Sequence, residues 1–94
     1  MAQGRMLIKF NNGKEATSTT LTPTSTSLTS TILGCIDLAL SMQPNVESVI
    51  IEFDGAFKAT VTRDENTWDL GVDKNGKTMN AKARKEPDGS WTKI

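Results

Sequence analysis

The stretch VIIEFDGAFKATVTRDENTWDLGVDKNGKTMNAKA, residues 49–83, decides the fold of this chain. Apolar residues occupy alternate positions in it, as they do in strands that bury one face. Turn-forming residues separate the alternating segments at Asp54-Gly55, Asp64-Glu65-Asn66 and Asn75-Gly76. The pattern predicts an antiparallel meander of four strands. A fifth strand is an option around Trp91, after the turn Pro87-Asp88-Gly89.

Two further strands are predicted nearer the N-terminus. Residues 6–10 (MLIKF) follow a period-two apolar pattern that stops at Asn11-Asn12-Gly13, where a tight turn is favoured. Twelve of the fifteen residues 17–31 are Ser or Thr. The first part of this Ser/Thr tract predicts a return strand, because β-branched Thr suits an exposed strand face. Pro23 then ends the pairing, because proline donates no backbone hydrogen bond.

A helix is predicted between the Ser/Thr tract and the meander. Thr26 or Ser27 can cap its start, and Pro44 closes it. An apolar stripe at helical spacing runs along it: Leu28, Ile32, Cys35, Ile36 and Ala39. Four more apolar residues fall outside the stripe, namely Leu33, Leu38, Leu40 and Met42, and Asp37 is the only charge.

A helix that is apolar over most of its circumference is not an ordinary surface helix. Either a curved sheet wraps it, or it forms half of a subunit interface. Gly34 would permit the close approach of another backbone. On the second interpretation the interface residues are Leu33, Gly34, Asp37 and Leu40. Asp37 itself must reach solvent, a partner or a ligand, because a carboxylate is costly to bury.

Together these elements predict one α+β domain over residues 1–94. Its single amphipathic-to-apolar helix would pack on a twisted antiparallel sheet in the order β-β-α-β-β-β-β, with one further C-terminal strand as an option. A chain of 94 residues has room for one modest core.

Composition excludes several classes of function. Eleven basic and eleven acidic residues give zero net charge, there is no histidine, and Cys35 is the only cysteine. Sites that need histidine, such as Ser-His and Cys-His nucleophiles, are therefore ruled out. We expect no enzyme activity, no cofactor and no metal. With no intrachain disulfide, signal peptide or membrane span predicted, we expect a cytoplasmic protein, in the host cytoplasm if it is viral.

One hypothesis places a phosphorylated small ligand or nucleotide at the start of the helix. Helix N-termini attract anions, and hydroxyl groups there add hydrogen-bond donors. The alternative is that the hydroxyls only cap the helix and face solvent. The residues expected to bind such a ligand are Ser25, Thr26, Ser27, Thr29, Lys82, Arg84, Trp68 and Trp91.

A second hypothesis concerns residues 74–85, which contain five basic residues and no acidic one. A basic strand near two tryptophans could bind single-stranded nucleic acid, with the indoles stacking on bases. The alternative is a solvated edge strand, on which lysine blocks strand-to-strand aggregation.

The function that these features favour is non-catalytic association with a protein partner, together with homo-oligomerisation. In its size, its Thr, Ser and Asn content and its lack of motifs, the chain is similar to the small accessory proteins of bacteriophages. That resemblance implies an accessory or inhibitory role and assigns no residue. Ligand sequestration is the first alternative, and single-stranded nucleic-acid binding is the second.

Overall fold

The computed structural model describes residues 4–21, 28–54 and 57–94. Over these residues the chain forms one helix and seven strands. They are, in chain order, β1 (Gly4–Phe10), β2 (Glu15–Leu21), α1 (Leu28–Met42), β3 (Val46–Phe53), β4 (Phe57–Asp64), β5 (Thr67–Lys74), β6 (Lys77–Lys85) and β7 (Trp91–Lys93). All seven strands belong to one antiparallel sheet, in the spatial order β2-β1-β3-β4-β5-β6-β7.

The predicted α+β class is wrong, because the described chain is mostly antiparallel sheet with a single helix. The Thr-rich strand β2 and the C-terminal strand β7 both join the same sheet, so that one sheet takes up nearly every segment other than α1. Chain connectivity explains the sheet order. Strands β1 and β3 pair directly, although β2 and α1 lie between them in the chain. This pairing places the β1–β2 hairpin on one side of the meander and β7 on the other.

The turns of the meander show why the strands end where they do. Asn75 and Gly76 both have positive φ, 54° and 78°, which is the backbone conformation of a two-residue hairpin whose twist matches the strands. Glu65 also has a positive φ of 56°, a conformation that is unfavourable for a residue with a Cβ atom. The hairpin signal at Asp54-Gly55 lies partly outside the described residues. Phe53 and Phe57, which flank it, are paired across β3 and β4.

The hydrophobic core lies between α1 and one face of the sheet. Helix α1 buries Thr31, Ile32, Cys35, Ile36 and Ala39. The strands contribute Met6, Ile8, Phe10, Val46, Val49, Ile51, Phe53, Ala59, Val61, Trp68, Leu70, Val72 and Ala83. Alternate residues of each strand point to this face, so the remaining strand residues point away from it. We call the face away from α1 the open face.

The open face is organised by the strand register. One row of paired residues crosses it from one edge of the sheet towards the other: Thr17, Leu7, Ile50, Thr60, Gly71 and Asn80. Leu7 and Ile50 are half-buried in the middle of this row, while Thr17 and Asn80 are exposed at its ends. Within the described ranges, no helix has the length and apolar character needed to cross a membrane.

Candidate functional site

The outer side of β6 has pairing partners along only part of its length. Strand β7 pairs with the last three residues of β6, and the amide of Ile94 donates to the carbonyl of Lys82 at 3.1 Å. On its inner side β6 is paired with β5 from Lys77 to Arg84. Among the described residues, none pairs with the outer side of residues 77–81. We call this unpaired segment, with Lys82 and Ile94 at its end, the β6 edge.

The direction of the free backbone groups follows from the alternation of an antiparallel ladder. The carbonyl of Lys82 points outwards, since it accepts from Ile94. Residues two apart in a strand direct their amide and carbonyl groups to the same side. The backbone N–H and C=O groups of Thr78 and Asn80 therefore point away from β5, into the unpaired side of the strand.

Side chains along the β6 edge differ between its two faces. Met79 pairs with the buried Val72 and so lies on the α1 side, where 47% of its surface is exposed. Ala81 lies on the same side and is exposed. Thr78, Asn80 and Lys82 alternate with them on the open face, and Ile94 at the end of the chain is 66% exposed. The edge thus has one apolar and one polar side.

An open groove of about 650 Å³ lies on the open face beside this edge. Its lining residues include Thr60, Thr62, Asp69, Gly71, Asn80, Lys82 and Ile94. Gly71 forms part of its floor, and a Cβ atom added there would meet the Thr60 carbonyl oxygen at 3.6 Å and the Asn80 Oδ1 at 3.7 Å. These are ordinary contacts, so the groove can be narrowed at Gly71 without displacing the backbone.

The basic residues near the edge divide into paired and unpaired groups. Lys82 Nζ lies 3.7 Å from Asp69, and Arg84 Nε donates to Glu86 at 2.9 Å. Hydrogen bonds from Arg84 and Thr92 lower the pKa of Glu86. Over the part of the chain that the structure describes, no acid lies within ion-pair distance of Lys74 or Lys77.

Asp37 is occupied by contacts within the protein. Its Oδ1 lies 2.5 Å from Lys85 Nζ, and both of its carboxylate oxygens accept from the indole Nε1 of Trp91. Lys85 Nζ lies 4.8 Å from the centroid of the Trp91 ring, which meets Trp68 edge-on at 6.1 Å. Asp37 thus joins α1 to the strands β6 and β7.

The other residues predicted for an interface pack inwards. Leu33 and Leu40 are half-buried and pack against the core, and Gly34 is half-buried. The exposed apolar residues of α1 are instead Leu38 and Met42, which lie one turn apart. Nothing in the described structure covers them.

Of the residues predicted to bind a phosphorylated ligand, those that the structure describes are not brought together. Ser25, Thr26 and Ser27 lie outside the described residues, and Thr29 lies in the first turn of α1. Lys82 and Arg84 lie on the open face, because their neighbour Ala83 pairs with the buried Trp68. Trp68 is 1% exposed, and Trp91 lies on the α1 side against Asp37. The two cations and the two indoles are therefore on opposite faces of the sheet.

The chemistry of the remaining candidate groups is limited. Cys35 is buried, and burial raises the pKa of its thiol from an ordinary 9.0 to about 11. At the other end of the open face Arg5 bonds to Glu52 and Asp54, and these bonds raise the pKa of the guanidinium. Within the described ranges, no three cysteine or carboxylate side chains come close enough to hold a metal ion.

For residues 74–85 the sequence suggested an edge strand as the alternative to nucleic-acid binding, and in the structure β6 has only the short strand β7 outside it among the described residues. No known protein family, curated protein or solved structure matches this chain.

Proposed function

We propose that this protein acts without catalysis, by binding a protein partner through the β6 edge. The observation that supports the proposal is the incomplete pairing of β6, on which no strand of the described residues bonds to the outward backbone groups of Thr78 and Asn80. A strand edge of this kind is a template for pairing with another chain. Exposed Met79 and Ala81 beside it supply apolar surface that a partner can bury.

Association explains the geometry better than ligand sequestration does. A pocket for a phosphorylated ligand needs cations and a stacking surface on one side of the protein. Lys82 and Arg84 lie on the face opposite Trp91. Trp68 is enclosed in the core, and the indole N–H of Trp91 is bonded to Asp37. The same separation weakens the proposal of single-stranded nucleic-acid binding, in which indoles stack on bases beside a basic track.

The buried position of the one cysteine is in keeping with a protein that acts without catalysis. Cys35 is a free thiol inside the core, and its raised pKa keeps it protonated at neutral pH, which makes it a poor nucleophile. The cytoplasm stays the proposed compartment, because one cysteine does not mark the chain as a disulfide-bonded secreted protein. An accessory or inhibitory role of bacteriophage type stays a prediction from composition.

Photo-crosslinking from single positions tests the proposed surface. Asn80 and Lys58 are both exposed on the open face, but Lys58 lies on the central strand β4, which is paired on both sides. A photoreactive amino acid at position 80 should crosslink a partner of different mass in the producing cell, and the same amino acid at position 58 should not. A crosslinked dimer of the chain would support self-association instead. Equal products at both positions, or none at position 80, would contradict the proposed surface.

A further inference from the structure

We propose that the open face carries a second binding site, for an uncharged saccharide, in the groove whose floor includes Gly71. This site goes beyond association through the β6 edge and does not depend on it. The argument for it starts from Gly71, because a glycine in the interior of a strand weakens the strand and leaves its place on the sheet surface unfilled. Such a glycine marks a bulge, an unusual backbone conformation, or a place where another group approaches closely.

The structure provides no internal reason for glycine at position 71. Gly71 does not have a positive φ, whereas Gly76 in the following turn does. The strand register runs without a bulge through Thr60, Gly71 and Asn80. A Cβ atom at position 71 would make only ordinary contacts with Thr60 and Asn80. The protein itself would therefore accept a side chain there, which leaves the close approach of a group from outside the chain.

The unfilled space at Gly71 is local. In the same cross-strand row, the positions on β3 and β1 are filled by Ile50 and Leu7, which are half-buried. The groove of about 650 Å³ extends instead over β4, β5 and β6. Its volume is in the range of small-molecule sites, which is about 300–1,000 Å³. The open face thus has a depression of suitable size near one edge of the sheet.

The side chains beside this depression can form further hydrogen bonds. Thr60 and Thr62 line it on β4, and Asn80 lines it on β6. Within the described ranges, no protein group is hydrogen-bonded to the side chains of these three residues. A hydroxyl group and a side-chain amide each donate and accept hydrogen bonds. A ligand that lies on Gly71 would therefore meet donors and acceptors from both neighbouring strands.

The charges at the groove favour an uncharged ligand. Two of its lining residues are charged, Asp69 and Lys82, and Asp69 Oδ1 lies 3.7 Å from Lys82 Nζ. Because these charges are opposite and adjacent, they attract an ion of either sign only weakly. Their side chains are 52% and 62% exposed, so each can also bond to a ligand. The carboxylate would accept hydrogen bonds and the ammonium group would donate them.

A saccharide fits this combination of groups. Each of its hydroxyl groups donates and accepts, as the side chains around the groove do. Its C–H surfaces can lie on the backbone at Gly71 and against the exposed side chain of Ile94. A phosphorylated ligand would need cations that are not already paired. An entirely apolar ligand would leave the polar groups of the lining without hydrogen-bond partners.

An NMR titration of the full chain tests the site. The probes are glucose, galactose, mannose and N-acetylglucosamine, each added to about 50 mM, because a small ligand in a shallow groove binds in the millimolar range. We expect at least one of them to shift the backbone amide of Gly71 and the side-chain amide of Asn80 in a ¹⁵N spectrum, with saturation. Tetrahydropyran has the same six-membered ring without hydroxyl groups, and it should leave both resonances unchanged.

Two substitutions test the named residues. Gly71→Ala places a methyl group on the floor and should weaken binding of the active sugar at least about fivefold, because a raised ring loses its contacts there. Asp69→Asn keeps the shape but removes a charged acceptor, and should weaken binding at least about threefold. Thr17→Ala is the control, since it removes an exposed hydroxyl of the open face outside the groove. It should bind within about twofold of the unsubstituted chain.

Three outcomes would overturn the proposal. One is that none of the four sugars shifts the resonances of Gly71 and Asn80. Another is a shift of equal size with tetrahydropyran, which would show that the hydroxyl groups are not recognised. The third is unchanged sugar binding by a Gly71→Ala variant that is folded by circular dichroism, which would make the glycine incidental. Crosslinking at position 80 tests the β6 edge without any sugar, so either proposal can fail while the other stands.

Discussion

The indole Nε1 of Trp91 lies 3.1 Å and 3.2 Å from the two carboxylate oxygens of Asp37, 54 residues earlier in the chain. This contact joins the middle of α1 to the last strand of the sheet. Lys85 completes it, because its Nζ bonds to the same carboxylate and lies over the indole ring. The short strand β7 is thus fastened to the helix as well as to β6, which holds Ile94 at the end of the β6 edge.

Replacing the carboxylate should loosen this contact. We expect Asp37→Asn to lower the free energy of unfolding by about 1 kcal/mol, because the pairing with Lys85 and one indole hydrogen bond are weakened at a partly exposed site. Urea unfolding followed by tryptophan fluorescence measures the change. Glu47→Gln is the control, since Glu47 is an exposed acid on β3. Equal effects of the two substitutions would show that the Asp37 contact adds nothing to stability.

Gly4 approaches the ring of Phe53 so closely that any side chain would collide with it. A Cβ atom at Gly4 would lie 2.5 Å to 2.8 Å from three ring atoms of Phe53, which is buried and stacked on Phe57. Gly4→Ala should therefore destabilise the fold by about 1–3 kcal/mol through overpacking. Gly71→Ala is the control, where the added atom makes ordinary contacts and the change should stay within about 1 kcal/mol. Chemical denaturation of both variants measures the difference, and similar values would contradict the collision.

The meander was predictable because its signals are local. In residues 49–83 the alternation of apolar residues marks the strands, and Asn75-Gly76 marks a hairpin turn that the structure shows with positive φ at both positions. Each signal depends on neighbours within a few residues of one another. The order of apolar and turn-forming residues therefore predicts the strands and turns without knowledge of the tertiary structure.

The proposed binding surface was not predictable, because it depends on pairing between distant residues. The face on which Lys82 lies is set by its register against Asp69, and the partner of Asp37 lies in the C-terminal segment. The fold class was misjudged for a similar reason. The sequence does not show that β2 and β7 join the same sheet. They lie at its two ends, with the other five strands between them.

The backbone at Glu65 is strained in a way that a substitution can relieve. Its φ of 56° lies in the left-handed region, where a Cβ atom is unfavourable and glycine is not. Glu65→Gly should raise the free energy of unfolding by up to about 1 kcal/mol. The Arg63 Nε donates to the carbonyl of Glu65 at 2.7 Å, and this backbone contact survives the substitution. Glu47→Gly, in the extended strand β3, should instead lower stability, and thermal unfolding of the pair measures both signs. A loss of stability in Glu65→Gly would show that the side chain outweighs the strain.

The buried thiol of Cys35 makes stability depend on pH in the alkaline range. Burial raises its pKa from 9.0 to about 11, so between these values the unfolded chain loses the thiol proton while the folded chain keeps it. Stability falls with rising pH wherever the folded state binds more protons, and the contribution of Cys35 is therefore lost progressively from pH 9 to pH 11.

Comparison with Cys35→Ala isolates that contribution. Urea unfolding at several pH values from 8 to 11 should give a steeper loss of stability for the chain with Cys35 than for Cys35→Ala, whose other titrating groups are the same. The thiol should also react with a maleimide reagent at pH 8 only as fast as the protein opens, because the protonated buried group is neither nucleophilic nor accessible. Parallel pH curves for the two proteins, together with rapid labelling in the folded state, would place Cys35 in contact with solvent and contradict its position in the core.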